Sequence, residues 1–186
     1  MTHTKPANDI VLKSTRGILI FTKWLLVLGA GVLTIAVPTI LAFTDEVTNE
    51  MADVFVAPPG PEIVWMIAGM MVFGLVMLLL ILFSINRLRR IVDSVGEGNP
   101  FTRINGTRLR GMGIAVFLMQ IITFFGSIFA TTILTTLGEV KPDRDFSLTI
   151  DGGISITGIL LVLLLIILAR VFDRGADMQD ELEGTV

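Results

Sequence analysis

Four long apolar stretches without a charged side chain divide the sequence. They hold 20, 23, 28 and 18 residues, at positions 24–43, 63–85, 111–138 and 152–169. A helix needs about 20 apolar residues to cross the roughly 30 Å hydrocarbon core of a bilayer. Helices are expected here because the backbone groups of a span must find their hydrogen bonds within the chain. The pattern predicts an all-α integral membrane protein, a single membrane domain over residues 1–186, with four transmembrane helices at about 24–43, 63–85, 112–137 and 153–170.

The lysines and arginines indicate how the chain threads through the membrane. Twelve of the fourteen lie in the N-terminal segment, the loop 86–111 and the C-terminal tail, two lie in the loop 138–152, and the loop 44–62 has none. Positive charge is retained on the cytoplasmic side during insertion. Both termini and the loop 86–111 are therefore predicted to be cytoplasmic, with 44–62 and 138–152 as outer loops.

The cytoplasmic loop is predicted to be a helical hairpin between the second and third spans. Apolar residues continue beyond the second span at helical spacings of three and four, at Ile85, Leu88, Ile91, Val92 and Val95. Gly96, Gly98 and Pro100 are expected to end this helix. Asn105 or Thr107 is expected to cap the next helix, which leads into the third span.

The hairpin and the tail carry opposite net charges. Residues 86–110 have six arginines and two acidic residues, a net charge of +4, and residues 170–186 have two arginines and five acidic residues, a net charge of −3. Two interpretations are open. The arginines can set the topology and contact anionic lipids, at about 1 kcal/mol per residue near the surface, or the acidic tail can dock on the hairpin. The sequence favours the first.

Composition excludes several classes of protein. The chain of 186 residues is 53% hydrophobic and 17% charged, against about 25% charged residues in an ordinary soluble domain. This excludes a soluble globular protein, a disordered chain and direct nucleic-acid binding. There is no cysteine and one histidine, His3, and no motif joins a nucleophile to a base or gathers metal ligands. We therefore predict no catalytic, cofactor-binding or metal-binding residue and no enzyme activity.

The third span carries a polar stripe inside the membrane. Its residues share one helical face, at Gln120, Thr123, Ser127, Thr131 and Thr135. Gly126 and Ala130 beside it predict the close approach of a second helix. The stripe can line a path for a small polar solute or supply hydrogen bonds between helices. The second interpretation is favoured, because coupled transport usually places an ionisable side chain within the membrane.

The two outer loops are predicted to form a short cap. Residues 53–56 and 146–150 contain β-branched and aromatic side chains in a strand-like pattern, so the two segments can pair. The acidic side chains of the loop 44–62 are expected to be solvated.

Two motifs resemble signatures of a known family. The middle loop has Gly98-Asn99-Pro100-Phe101, then Asn105, Arg108-Leu109-Arg110 and Gly113, and the tail has Phe172-Asp173-Arg174-Gly175 followed by Met178-Gln179-Asp180-Glu181-Leu182. Both resemble YoaS-like bacterial membrane proteins, a four-span family with a domain of unknown function that often has arginine at the place of Asp173. The resemblance implies a bacterial inner membrane protein. Many relatives are encoded beside a small helix-turn-helix regulator, which implies a regulatory role, and no catalytic residues carry over.

These observations predict a regulatory or sensory membrane protein that meets a cytoplasmic regulator protein through the basic loop and the acidic tail. The predicted contacts with that partner or with membrane lipids are Arg87, Arg89, Arg90, Asn99, Pro100, Phe101, Asn105, Arg108, Arg110, Arg174 and Gly175. The alternative is a small transporter or channel component that uses the polar face of the third span. No cofactor is predicted for either function.

Overall fold

The residues that the structure describes form five helices. The computed structural model describes residues 7–57, 59–138 and 152–183. In chain order the helices are α1 (Ala7–Ala42), α2 (Thr44–Ala52), α3 (Glu62–Gly96), α4 (Arg103–Leu137) and α5 (Ile156–Glu183). Four of them, all except α2, are long and apolar enough to cross a membrane. For the described residues, the prediction of a helical chain with four spanning-length helices is confirmed.

The helices α3 and α4 continue well beyond the predicted spans. Each has 35 residues, which corresponds to about 52 Å at 1.5 Å per residue and exceeds the roughly 30 Å hydrocarbon core. The apolar spacing after Ile85 predicts this extension, and α3 ends at Gly96 as expected. Residues 97–102 connect the two helices, and we call them the α3–α4 turn.

The prediction of a strand at residues 53–56 is wrong. The backbone N–H groups of Val54 and Phe55 donate to the Met51 carbonyl at 3.0 and 3.1 Å, which turns the chain directly after α2. Phe55 is a single β-bridge position rather than part of a strand. The predicted partner segment, 146–150, lies outside the described residues.

The short helix α2 occupies a segment that the sequence analysis treats as loop. The Thr44 hydroxyl donates to a carbonyl of the preceding turn at 2.8 Å, and Asp45 and Glu46 lie in the first turn, where negative charge interacts favourably with the helix dipole. Val47 and Met51, four residues apart, pack against a buried apolar cluster. Because nine residues are too few for a stable isolated helix, we attribute α2 to this packing.

Contacts divide the chain into two compact units. One unit comprises the described residues of Met1–Val27, Leu80–Leu118 and Ser155–Val186. We call it the arginine unit, because it holds every arginine that the structure describes. The second unit comprises the described residues of Leu28–Leu79 and Met119–Ile154, and we call it the α2 unit.

The core of the arginine unit joins α3, α4 and α5. Its buried members are Ile91, Leu109, Leu165 and Ala169. Ala169 has no exposed surface, and a Cβ atom added at Gly106 would lie 3.3 Å from the Ala169 carbonyl oxygen. The absence of a side chain at Gly106 therefore lets the start of α4 approach α5 closely.

The core of the α2 unit joins α3, α4 and the segment around α2. Its buried members are Phe55, Ile63, Val64, Ile133 and Leu137. The rings of Phe73 and Phe129 meet edge to face with their centroids 5.8 Å apart, a favourable aromatic geometry. A Cβ atom at Gly69 would lie 3.3 Å from the Phe129 ring, so α3 and α4 pack tightly there.

Large apolar side chains cover much of the surface of α1 and α5. Phe21, Trp24, Ile156 and Leu160 are each at least 60% exposed. Soluble monomers rarely expose contiguous apolar patches of more than a few hundred Å², whereas a helix in a bilayer turns such side chains to lipid. The surface therefore agrees with a multi-pass membrane protein.

Candidate functional site

The helix α3 ends in a Schellman motif at the start of the α3–α4 turn. The Asn99 N–H donates to the Ser94 carbonyl at 3.2 Å, and the Gly98 N–H donates to the Val95 carbonyl at 3.1 Å. Gly98 has a φ of +84°, a left-handed conformation that glycine adopts without steric cost. The prediction that this glycine ends the helix is confirmed.

The cap of α4 is Thr102 rather than the predicted Asn105 or Thr107. The Thr102 hydroxyl accepts a hydrogen bond from the Asn105 N–H at 3.3 Å, which is the geometry of an N-cap residue. Asn105 and Thr107 lie inside the helix, which begins at Arg103. The prediction is wrong because a threonine three residues before Asn105 already supplies the oxygen that the first turn needs.

Asn105 lies in the first turn of α4, next to the α3–α4 turn, and its side chain has no exposed surface. Its Nδ2 donates to the Ser94 hydroxyl at 3.0 Å and to the Pro100 carbonyl at 2.8 Å. Its Oδ1 accepts from Arg108 Nη1 at 2.8 Å. The amide thus joins the end of α3, the turn and the first turns of α4. These hydrogen bonds offset the free-energy cost of removing the amide from water, a cost that a buried amide without partners would not recover.

Two arginines cross between α3 and α4 in opposite directions. Arg87 Nη1 donates to the Thr107 carbonyl at 3.2 Å, and Arg108 Nη1 donates to the Arg90 carbonyl at 3.0 Å. The Arg87 guanidinium also lies 4.2 Å from the centroid of the Phe83 ring, within the range of a cation–π interaction. Both side chains are held in place and keep further N–H donors available.

The acidic part of α5 lies against the start of α4. Arg110 forms an ion pair with Asp173. Arg103 Nη2 lies 3.0 Å from Asp177 Oδ1 and 3.4 Å from Asp180 Oδ2. The Arg103 side chain is 72% exposed, and exposed pairs contribute about 0–1 kcal/mol each. Each ion pair of this contact is therefore weak, but together the pairs extend along α5 from Asp173 to Asp180.

Phe101 attaches the turn to α5 through apolar packing. Its ring centroid lies 5.5 Å from that of Phe172. A Cβ atom at Gly175 would lie 2.8 Å from Phe101 Cγ, so the ring lies directly on the α5 backbone at this glycine. The motif residues Phe101 and Gly175 are thus brought together by the fold.

The remaining predicted residues separate into different environments. Arg89 Nε lies 3.8 Å from Asp93 Oδ2, and Arg16 Nε of α1 lies 3.2 Å from Asp93 Oδ1. Asn99 and Pro100 contribute carbonyl oxygens that accept from Ser94 and Asn105. Two predicted arginines, Arg90 and Arg174, are exposed and make no side-chain hydrogen bond or ion pair with any residue that the structure describes.

Sequence reasoning missed Arg103, Ser94 and Thr102 as site residues. A threonine directly before the helical segment, at Thr102, was a usable signal for the cap. No local pattern indicated that Arg103, rather than Arg89 or Arg108, faces the acidic residues of α5, because that pairing joins positions more than 70 residues apart.

The polar stripe of α4 bonds mostly to its own helix. The hydroxyls of Ser127, Thr131 and Thr135 donate to carbonyls three or four residues earlier at 2.8–2.9 Å. For these three donors the expected hydrogen bonds between helices are wrong. Of the predicted stripe, Gln120, Thr123 and Ser127 are half-buried and Thr131 is exposed.

The predicted close helix approach at Gly126 is also wrong. A Cβ atom at this position would meet no atom within 4 Å. Gly126 and Ala130 are both buried, but no described atom lies against the Cβ position of Gly126. Among the described residues, no three His, Asp or Glu side chains cluster in a way that could hold a metal ion.

Comparison with known proteins places this chain in a family. Residues 39–186, which include the α3–α4 turn and α5, match the model of a family described as "Protein of unknown function (DUF2975)". No curated protein and no solved structure matches the chain. The finer resemblance to YoaS-like proteins stays a prediction. Because the match covers most of the sequence, the chain belongs to the DUF2975 family.

Proposed function

We propose that this protein is a regulatory protein of the bacterial inner membrane that meets a cytoplasmic regulator protein at the arginine-bearing start of α4. The observation that carries the proposal is the set of ion pairs that joins Arg103 to Asp177 and Asp180, and Arg110 to Asp173. In this state α5 occupies the charged surface that a partner would use.

Exchange between the tail and a partner is the proposed mechanism. Exposed ion pairs contribute little individually and are screened by salt. A partner that presents acidic side chains to Arg103 can therefore replace Asp177 and Asp180 at a small energetic cost. The released end of α5 is acidic, so it then offers the same partner a second contact of negative charge beside the positive charge of Arg103.

The proposed topology places both termini and the α3–α4 turn in the cytoplasm, with the outer loops 44–62 and 138–152 on the other side. The distribution of lysine and arginine supports it. The grouping of the start of α1, the α3–α4 turn and the C-terminal part of α5 in one compact unit also supports it.

Thiol labelling in intact cells tests the topology. The chain has no cysteine, so single cysteines at Ala57 and Glu97, both exposed, report without background. A membrane-impermeant maleimide is expected to label the Ala57→Cys variant in intact cells and the Glu97→Cys variant only after the membrane is permeabilised. Labelling of Glu97→Cys from outside would contradict the proposed topology.

Recovery of a partner tests the proposed function. Crosslinking of the full chain in native membranes, followed by purification and identification of bound proteins, is expected to recover a cytoplasmic regulator with the wild type. The Arg103→Gln/Arg110→Gln variant is expected to recover at least fivefold less of it, because both arginines that face α5 are lost. The Lys13→Gln variant removes one positive charge from an exposed position of the same unit that is not among the predicted contacts, and it serves as control.

A spin label on α5 distinguishes failure of the partner from failure of the contact. Met178 is 61% exposed and lies between the two partners of Arg103, and a nitroxide there is expected to become more mobile in Arg103→Gln. Mobility that is unchanged would disprove the tail contact. Release of the tail without any difference in recovered proteins would instead remove the regulatory proposal. Arg89 and Arg108 are unsuitable for this test because Arg89 forms an ion pair with Asp93 and Arg108 donates a hydrogen bond to Asn105.

The transporter alternative draws less support from the geometry. The hydroxyl donors of Ser127 and Thr131 are already used by carbonyls of α4, so they are not available to strip water from a passing solute. The proposal assigns no catalytic role to any residue.

A further inference from the structure

A groove of about 510 Å³ lies between α3 and α4 in the arginine unit. Three arginines line it, Arg87 and Arg90 from α3 and Arg108 from α4, and none of its lining residues is acidic. We propose that this groove binds a phosphate-bearing anion. The inference does not depend on the proposed regulatory function, because it requires only the groove itself.

Two of the three arginines are oriented before any ligand arrives. Arg87 and Arg108 each donate one bond across to the opposite helix, which fixes the guanidinium groups and reduces the entropy lost on binding. A guanidinium has five N–H donors in a planar fork that matches phosphate oxygens. The donors that are not used in these bonds remain for the ligand.

Of the three arginines that line the groove, Arg90 is the one whose side chain has no partner among the described residues. It is exposed, and its guanidinium forms no hydrogen bond or ion pair with any described residue. The acidic residue nearest in sequence, Asp93, pairs with Arg16 and Arg89 instead. The groove therefore holds three positive charges without a local counter-charge, which favours a ligand with more than one negative oxygen.

Apolar side chains at the groove favour a ligand with an apolar part. Phe83 and Ile104 line it and are 41% and 63% exposed. A basic pocket between transmembrane helices is a typical site for the headgroup of an anionic phospholipid. The apolar surface of Phe83, which lies in the predicted second span, would contact its acyl region. A soluble phosphate ester is the other source of the same chemistry.

Gly111 leaves the space that the Arg87 guanidinium occupies, so the position of this arginine can be changed without changing the charge of the groove. A Cβ atom at this position would lie 2.6 Å from Arg87 Cζ. Gly111→Ala keeps all three arginines but displaces the Arg87 guanidinium from its bond to Thr107. The substitution is therefore expected to weaken ligand binding without any change in net charge.

Native mass spectrometry of the full chain in neutral detergent tests the proposal. The purified protein is exposed to equal amounts of phosphatidylglycerol and phosphatidylcholine with the same acyl chains, and the bound fractions are compared. The wild type is expected to retain phosphatidylglycerol preferentially. Arg90→Gln is expected to lower that preference about fivefold, the factor that one arginine near an anionic headgroup supplies.

Three variants make the result specific. Arg170→Gln loses the same charge in the same unit, at an exposed position outside the groove, so it should keep the wild-type preference. Arg90→Lys should keep most of it, because the charge remains. Circular dichroism of each variant checks that the helices are intact, and Gly111→Ala should lower the preference with an unchanged spectrum.

Inorganic phosphate distinguishes the two sources of the ligand. If millimolar phosphate raises the thermal midpoint of the lipid-free wild type but not of Arg90→Gln, and phosphatidylglycerol shows no preference, the groove binds a soluble phosphate compound. Equal losses of lipid preference in Arg90→Gln and Arg170→Gln would mean general surface attraction and would overturn the proposal. The same conclusion follows if neither phosphatidylglycerol nor phosphate distinguishes the wild type from Arg90→Gln.

Discussion

Replacement of Asn105 by alanine is expected to lower the free energy of unfolding by about 2–4 kcal/mol. The side chain has no exposed surface and makes three hydrogen bonds, to Ser94, Pro100 and Arg108. The substitution removes all three bonds, each of which contributes about 0.5–1.5 kcal/mol, and with them the side chain that joins the end of α3 to the start of α4. Thermal unfolding in detergent micelles, followed by circular dichroism, measures the effect.

Asn99→Ala is the matched control for this prediction. Asn99 lies in the adjoining α3–α4 turn and is exposed, and its hydrogen bonds use its backbone N–H and carbonyl. Loss of its amide is therefore expected to change stability by no more than about 0.5 kcal/mol. If the two variants unfold at the same temperature, the amide of Asn105 does not hold the turn together.

A leucine at Gly106 is expected to separate the start of α4 from α5. A Cβ atom there would lie 3.0 Å from Asp173 Cγ and 3.3 Å from the Ala169 carbonyl oxygen, so a larger side chain has no space. Overpacking of this kind costs about 1–3 kcal/mol, and it also displaces the carboxylate that pairs with Arg110. A nitroxide at Met178 is expected to gain mobility.

Gly126→Leu provides the control for this wedge. It places the same side chain on the same helix, at a position where a Cβ atom would meet nothing within 4 Å. Its effect on the mobility at Met178 is expected to be negligible. A mobile label in both variants would indicate general disruption of α4, and an immobile label in Gly106→Leu would show that α5 does not need this close approach.

The charge-free stretches and the glycines near residue 98 predict the long helices and the end of α3 well. Both are local properties: an apolar run of sufficient length favours a spanning helix, and a glycine at the C-terminus adopts the left-handed conformation. The helix α2 is different. Its nine residues form a helix through the packing of Val47 and Met51 against a core that includes Ile63, which no local pattern expresses.

The candidate site shows the same division. The motif around Asn105 and Arg108 was recognisable, but the contacts of its members were not. Arg103 forms the ion pairs with the acidic residues of α5. Arg89 instead forms an ion pair with Asp93, which also pairs with Arg16 of α1. The two arginines have the same chemistry and differ only in the face of the helix that carries them. Which acidic residue faces each one follows from how distant helices pack.

The order of residues was sufficient for the number of spanning helices and for the charge difference between the hairpin and the tail. Both properties are sums over the residues of a segment, so they can be calculated without knowing which segments are in contact. The fold was needed for the burial of Asn105, for the choice of Arg103 and Arg110 as partners of α5, and for the groove that holds Arg87, Arg90 and Arg108. Each of these depends on the distance between atoms of different helices, and hydrophobic periodicity carries no information about that distance.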